Sequence, residues 1–356
     1  MRKITESIVK SFLASNKKHL IITGSIGSGK SAFVNEIVEN LFPGVSVPGI
    51  TTHLMGGKEV ILRENGTDSW SMIGKFENGM QPVEEGFSKL GVEALGRASD
   101  AIFEWALIDE IGFLESNHKA FQEAVRLLFS KKRVIAVIRK QEIPFLQELR
   151  SQEDAFVLDV DELHKKVGCV IMASGLGIRF GENKLLAKFK NKMLIEHILE
   201  CTKDLFVKRV VVTRTKEVQT FCEQNNISVI YHEYPYRSDV VRLGIGVMNE
   251  MDGCVFCPCD QPLLTRTSLR KLRNAFSFEE KEILRLAYDD RQGTPILFDK
   301  KYFGELSELP EKKGGSFVAK KYPDKVSLIF AESEKELYDI DTKEDLARLE
   351  EMSADD

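Results

Sequence analysis

The stretch His19-Leu20-Ile21-Ile22-Thr23-Gly24-Ser25-Ile26-Gly27-Ser28-Gly29-Lys30-Ser31 decides the reading of the first half of the chain. Its first five residues predict a buried strand, and the amphipathic run Ser31–Leu41 predicts a helix. Between them the spacing Gly-x-x-x-x-Gly-Lys-Ser is the P-loop pattern, placed where its mechanism needs it. The loop Gly24, Ser25, Gly27, Ser28 and Gly29 can turn successive backbone N–H groups onto phosphate oxygens. Lys30 adds a cation for the β- and γ-phosphates, the Ser31 hydroxyl suits Mg²⁺, and the helix N-terminus favours an anion.

Working outward, Trp105-Ala106-Leu107-Ile108-Asp109-Glu110 predicts an apolar strand ending in two acids. Beside a P-loop, Asp109 is a candidate Mg²⁺ ligand through water, and Glu110 a candidate to polarise an attacking water. The plain alternative is a pair of strand-end caps. That strand is placed over Ala106–Asp109 and a further one at Arg133–Ile138, with helices over Val83–Ser99 and His118–Phe129. Val60–Leu62 and Trp70–Ile73 flank the turn Glu64-Asn65-Gly66 as a hairpin. Strands alternating with helices predict an α/β, three-layer domain with a mainly parallel sheet.

The chain has 356 residues, too many for one ordinary core, so two domains are expected. The charged stretch Asp159–Lys166 closes the first pattern, which places the domains at 1–165 and 166–356. A net charge of −5 supplies no basic field and argues against nucleic-acid or membrane partners. Neither a signal-type apolar segment at the start nor a bilayer-length apolar run is evident, which predicts a cytoplasmic protein. All six cysteines lie in the second half, and reduced thiols are expected. The spacing Cys254-x-x-Cys257-x-Cys259 falls along a predicted strand and reads as buried thiols before a metal site. His164, His197 and His232 read as surface or packing residues.

The second half opens with the strand Val167–Ala173, which runs into Ser174-Gly175-Leu176-Gly177-Ile178-Arg179, with Lys184 close behind. A Gly-x-Gly loop after a strand is weak evidence alone, and the third glycine of a dinucleotide site is missing. Ala173, Ser174, Gly175 and Gly177 instead form a candidate triphosphate loop, with Arg179 and Lys184 as its cations. Such a set draws charge off a triphosphate while its α-phosphorus is attacked. The later run Val255-Phe256-Cys257-Pro258-Cys259-Asp260 ends a strand in an acid, and Asp260 is a candidate Mg²⁺ ligand. Taken alone, Asp260 would read as a turn former.

Residues 17–160 resemble the P-loop nucleoside-triphosphatase family first known from thermophiles. The resemblance rests on the P-loop, Pro48-Gly49-Ile50-Thr51-Thr52, Asp109-Glu110-Ile111-Gly112-Phe113-Leu114-Glu115 and Val134–Lys140. It implies slow hydrolysis of ATP or GTP, with Glu110 and Glu115 as site acids and Arg139 near the phosphates. Arg63, Arg97 and Lys140 read first as solvated cations. Residues 168–350 resemble the molybdenum cofactor nucleotidyltransferases, through the second Gly-rich loop, Asn183-Lys184-Leu185-Leu186, Asp260, Gly293–Phe298 and Asp339-Ile340-Asp341-Thr342. That resemblance implies a Rossmann-like nucleotidyltransferase fold. It also implies Mg²⁺-dependent transfer of CMP from CTP, with GTP as the second candidate, to molybdopterin with release of pyrophosphate. The partners it implies are the pterin cofactor and a molybdenum-dependent hydroxylase or its maturation factors. Two segments depart from that pattern: Val240 replaces the usual Ser of the base site, and Glu311–Ser316 lacks the usual acid and Arg. These departures keep open a cofactor-binding maturation chaperone switched by the first domain, or a different phosphorylated acceptor.

Overall fold

The computed structural model describes residues 2–175, 180 and 183–352. The chain divides into two compact units, Met1–Leu163 and His164–Asp356. The first unit contains β1 (His19–Thr23), β2 (Gly49–Met55), β3 (Glu59–Glu64), β4 (Trp70–Phe76), β5 (Met80–Pro82), β6 (Trp105–Ile111), β7 (Arg133–Ile138) and β8 (Ala155–Asp159). Their order in one sheet is β5-β4-β3-β2-β6-β7-β1-β8. Neighbours from β2 through β8 run parallel, and β2 to β5 continue the sheet as antiparallel hairpins.

The parallel half reads as near-continuous apolar runs because helices cover both faces. Ile21, Ile108 and Ala136 point into a core with Leu95, Val125 and Leu128 of the helices Val92–Asp100 and Lys119–Lys131. On the other face lies the helix Arg2–Ala14, whose Phe12 meets the rings of Trp105 and Phe156 at 6.0 and 5.9 Å. The predicted helix Val83–Ser99 is helical over 84–100, but a π-helical turn, Phe87–Gly91, interrupts it. Gly86 explains part of this: a β-carbon there would sit 2.1 Å from the Met72 carbonyl, so the chain passes directly over β4. Asp109 and Glu110 are not at the end of their strand but inside β6, which extends to Ile111.

The second unit contains β9 (Val167–Ala173), the small hairpin β10 (Lys188–Phe189) and β11 (Lys192–Met193), β12 (Lys208–Thr213), β13 (Val229–Tyr231), β14 (Gly253–Pro258), β15 (Ile283–Tyr288), β16 (Arg291–Asp299) and β17 (Val326–Phe330). The main sheet has the order β13-β12-β9-β14-β16-β15-β17, and β16 alone runs antiparallel to its neighbours. Alternation along β9 feeds two cores. Cys169, Ile171 and Ala173 pack with Ile195, Leu272 and Phe276, whereas Val170 packs with Val240, Val241 and Ile245. This is a three-layer arrangement, and the unit is a mixed α/β fold. All six cysteines are buried and unpaired as disulfides. Among the described residues no group of three or more His, Cys, Asp or Glu is placed to hold a metal ion. Cys169 and Cys257 meet at 3.8 Å across adjacent strands, and burial pushes the Cys201 thiol up to about 12. No described helix is long and apolar enough to cross a membrane.

One glycine fixes how the hairpin extension joins the parallel half. Gly49 opens β2 at φ +139°, and a β-carbon there would fall 2.0 Å from the Leu107 carbonyl of β6. Gly49→Ala is therefore expected to destabilise the first unit by more than about 2 kcal/mol. Denaturant unfolding of the variant against the parent chain checks this.

Candidate active sites

In the first unit, β1 delivers the P-loop to the carboxyl edge of the sheet. Gly29 takes φ +103° just before the helix Lys30–Leu41, a left-handed turn that a side chain would strain. Lys30 is only 7% exposed, and its ammonium donates to the carbonyls of Gly24 and Ser25 at 3.2 and 3.0 Å. Burial lowers its pKa; Glu110, with a carboxylate oxygen 3.9 Å away, works in the opposite direction. The charge is under-compensated by protein, which is the condition in which a phosphate is welcome.

β6 brings the acids to the same edge. Ser31 Oγ approaches Asp109 at 3.5 Å, a loose contact that leaves both oxygens able to face a hard cation. Burial, helped by Glu110, pushes the Asp109 carboxyl up to about 6. Glu110 accepts from Arg139 Nε at 2.7 Å, and its backbone N–H donates to Thr52 Oγ1 at 3.2 Å. Ser31, Thr52, Glu110, Glu115 and Arg139 line one cleft of about 430 Å³. Glu115 is 5% exposed and accepts from the Gly112 N–H at 2.7 Å. Arg97 is elsewhere, paired bidentately with Glu64 at 2.8 Å, and Lys140 pairs with Asp159 at 2.6 Å.

One participant escaped the sequence reading. Asp161 accepts from the Ser25 N–H and the Ser25 hydroxyl, both at 2.8 Å, pinning the outer limb of the P-loop. Nothing in the local pattern Asp159–Lys166 distinguishes this acid from its charged neighbours.

In the second unit, β9 delivers Ala173, Ser174 and Gly175 to the carboxyl edge beside Asp260, which follows β14. Gly177 and Arg179 lie outside the described residues. Lys184 is 5% exposed and donates to Asp260 Oδ2 at 2.8 Å, Asp341 Oδ1 at 3.0 Å and the Ile340 carbonyl at 2.7 Å. Burial alone would lower this ammonium, but Asp260 and Asp341 outweigh it and leave the pKa raised. Gln261 joins the set to β16, donating to Thr294 Oγ1 at 2.9 Å and Asp339 Oδ1 at 2.8 Å. The segment Asp339-Ile340-Asp341-Thr342 carries no local sign of a role for Asp341. Its contact with Lys184 spans 157 residues, and only the fold reveals it.

A cavity of about 170 Å³ opens beside these groups, lined by Ser174, Gly175, Tyr236, Arg237, Val240 and Asp260 among others. Val240 is buried and contributes methyl groups to this wall. His232, expected to be a surface or packing residue, is 5% exposed and its Nε2 lies 2.9 Å from Ser174 Oγ. His164 and His197 do pack, against the rings of Phe278 and Phe189.

Comparison with known proteins matches the two halves of the chain to two families. Residues 19–167 match the NTPase family, and residues 169–326 match the MobA-like NTP transferase domain. The chain is an NTPase domain fused to a MobA-like NTP transferase domain. Over 162 residues it is 30% identical to the nucleoside-triphosphatase THEP1 of Methanosarcina barkeri, covering 39% of this chain and 87% of that one. The THEP1 protein of Thermotoga maritima is 27% identical over 158 residues, 41% of this chain and 88% of its own. For the transferase domain, a probable molybdenum cofactor guanylyltransferase of Aquifex aeolicus is 26% identical over 152 residues, 42% of this chain and 72% of its own. The expectation of a cytidylyl branch thus meets a relative named for guanylyl transfer.

The buried Glu115 of the NTPase domain gives a pH test. Burial pushes its carboxyl up to about 7, against the pull of the Gly112 N–H. Its native pKa lies above the unfolded value, so the folded state holds the extra proton between the two. This contribution to stability is present at low pH and is lost as pH rises towards and through about 7. Thermal unfolding without nucleotide should show the domain losing on the order of 2 kcal/mol over that window. Glu115→Gln should flatten the loss, and an unchanged pH profile would contradict the assignment.

Proposed function

We propose that the NTPase domain hydrolyses ATP or GTP and that the transferase domain moves a nucleotidyl group from CTP or GTP to molybdopterin, releasing pyrophosphate. The resemblance of Asn183–Leu186 and Asp339–Thr342 favours CTP, and the relative named for guanylyl transfer favours GTP. The observation that carries the transferase reading is Lys184 held between Asp260 and Asp341 at the mouth of a cavity beside the Gly-rich loop.

In the NTPase domain the P-loop N–H groups and Lys30 would hold the β- and γ-phosphates. Glu110, oriented by Arg139, would accept a proton from the attacking water. In the transferase domain the Ala173–Gly175 loop, Arg179 and Lys184 would hold the triphosphate while the acceptor phosphate approaches the α-phosphorus from the opposite side to the pyrophosphate. Mg²⁺ fits the hard-oxygen donors Ser31 and Asp109 in one domain and Asp260 in the other, where it would neutralise phosphate charge. Partners follow from this reading: the pterin cofactor, and a molybdenum-dependent hydroxylase or its maturation factors.

Val240 in the cavity wall supports a rival reading, in which the second domain binds cofactor without transfer and the first acts as a switch.

The deciding experiment measures pyrophosphate release from CTP, GTP and ATP with Mg²⁺ and molybdopterin, using the Lys30→Ala chain to silence hydrolysis. Hydrolysis itself should fall at least about a hundredfold in that variant, because the phosphates lose their buried cation. Acceptor-dependent pyrophosphate that disappears on Asp260→Ala supports transfer and names the base. Cofactor binding without pyrophosphate from any nucleotide would support the switch reading instead.

A further inference from the structure

The cleft of the NTPase domain is larger and more apolar than hydrolysis requires. Its polar end carries Ser31, Glu110 and Arg139, the groups that surround the γ-phosphate in the reaction scheme above. The hairpin extension of the sheet builds the rest. Register aligns Leu54 of β2 with Val60 of β3, and Val60 with Gly74 of β4, so the three positions form one row on one face. Gly74 leaves a hollow in that row: a β-carbon there would lie 2.8 Å from Leu114 Cδ1 and 3.3 Å from Met80 Sδ. Leu114, beyond the end of β6, and Met80 of β5 thus close in over β4. With Phe113 they line the cleft beside Val60 and Leu54, and Leu54 is left 62% exposed at this apolar wall.

A water molecule takes about 30 Å³ and is held by polar partners. A cleft of about 430 Å³ with an apolar lobe has instead the size and character of a small-molecule site. The nucleotide does not fill this lobe with its own base. Ser31 and Glu110 belong to the γ-phosphate end, and the nucleoside sits at the opposite end of the triphosphate. We infer that the lobe holds a small acceptor with an apolar body and a hydroxyl group, and that the domain transfers the γ-phosphoryl group to that hydroxyl. The hydroxyl takes the place of the attacking water. Its oxygen forms the new bond to phosphorus, and the bond from phosphorus to the β,γ-bridging oxygen breaks. That electron pair leaves with the nucleoside diphosphate, and the hydroxyl proton passes to Glu110, which Arg139 orients at 2.7 Å. The products are a phosphomonoester and a nucleoside diphosphate. An apolar body in the lobe also displaces the water that competes for the phosphorus. This inference rests on the hydrolytic role proposed for the site and changes only the acceptor.

The test follows turnover of Mg-ATP by the full chain carrying Asp260→Ala, which silences the second site. Benzyl alcohol, 1-pentanol or glycerol is added at equal concentration. ADP and inorganic phosphate are quantified together, and the phosphomonoester is detected by phosphorus NMR. With benzyl alcohol or 1-pentanol, ADP should exceed inorganic phosphate by the amount of ester formed. That ester should be at least about tenfold above the yield from glycerol, which carries hydroxyls but no apolar body. Leu54→Asp places a charge on the apolar wall and should lower the ratio of ester to inorganic phosphate at least about fivefold. Leu54→Met keeps the wall apolar and should lose less than about half of that ratio. The ratio is internal to each reaction, so it does not depend on how much turnover a variant retains. ADP matched by inorganic phosphate in every alcohol overturns the inference and leaves hydrolysis standing. Equal ester from glycerol and benzyl alcohol also overturns it, because the apolar wall then selects nothing. A parent chain that forms no ADP overturns the hydrolytic reading and the inference together.

Discussion

A buried ammonium group at the carboxyl edge of each sheet is the constraint around which both domains are built. Lys30 and Lys184 are 7% and 5% exposed, and neither can stay charged there without oxygen acceptors arranged in advance. The two domains meet this need in opposite ways. Around Lys30 the protein offers two P-loop carbonyls and a distant carboxylate, and burial prevails. Around Lys184 it offers two carboxylates and a carbonyl, and the carboxylates prevail. The first lysine is therefore short of negative charge before any nucleotide arrives, and a phosphate completes its environment. The second is already neutralised, so a triphosphate held there as proposed would share it with Asp260 and Asp341 or displace them. That exchange would bring the nucleotide to Asp260, the carboxylate proposed to hold a hard cation.

Strand register determines which acids can take part. In the NTPase domain Thr51 lies opposite Asp109 across β2 and β6, which sets the next residue, Thr52, to receive the Glu110 N–H. The turn of β6 around these acids also directs Glu110 towards Arg139 from the end of β7. In the transferase domain β9 and β14 run side by side with Cys257 opposite Ile171, so the Gly-rich loop and Asp260 leave the sheet together. Buried thiols suit this region: they pack as small apolar groups where the two strands must lie flat against each other. The charged apparatus thus stands on layers with almost no polarity of their own.

Much of this was legible because it is local. The P-loop, the strand Val167–Ala173 and the hairpin around Glu64-Asn65-Gly66 each carry their signal within a dozen residues, and each forms where the pattern predicts it. Lys30, Ser31, Asp109 and Glu110 converge as expected because a P-loop and a neighbouring acidic strand leave few alternative arrangements. The residues that sequence did not reveal act at long range. Asp161 reaches Ser25 over 136 positions, and Asp341 reaches Lys184 over 157. His232 reads as a surface or packing residue because a lone histidine has no periodic signature, and its contact with Ser174 depends on β12 lying between β13 and β9. The π-helical turn at Phe87–Gly91 was also invisible, since the close approach of Gly86 to the Met72 carbonyl beside it is a long-range contact rather than a local propensity.

The departures from the transferase pattern now acquire a physical reading. Position 240 faces both the core below and the cavity above, packing with Val170 and Ile245 while lining the wall. A serine there would bring a hydroxyl to the cavity but leave its other side against aliphatic groups; valine satisfies the core and surrenders the polar contact. The nearby Ser174 hydroxyl is held between the Val212 carbonyl and His232 Nε2, 2.9 Å from each. A hydroxyl so constrained is more selective than a free one, because it cannot rotate to suit either a donor or an acceptor. The Ser174 hydroxyl in the cavity wall thus stands at the end of β9, where that strand leads into the Gly-rich segment.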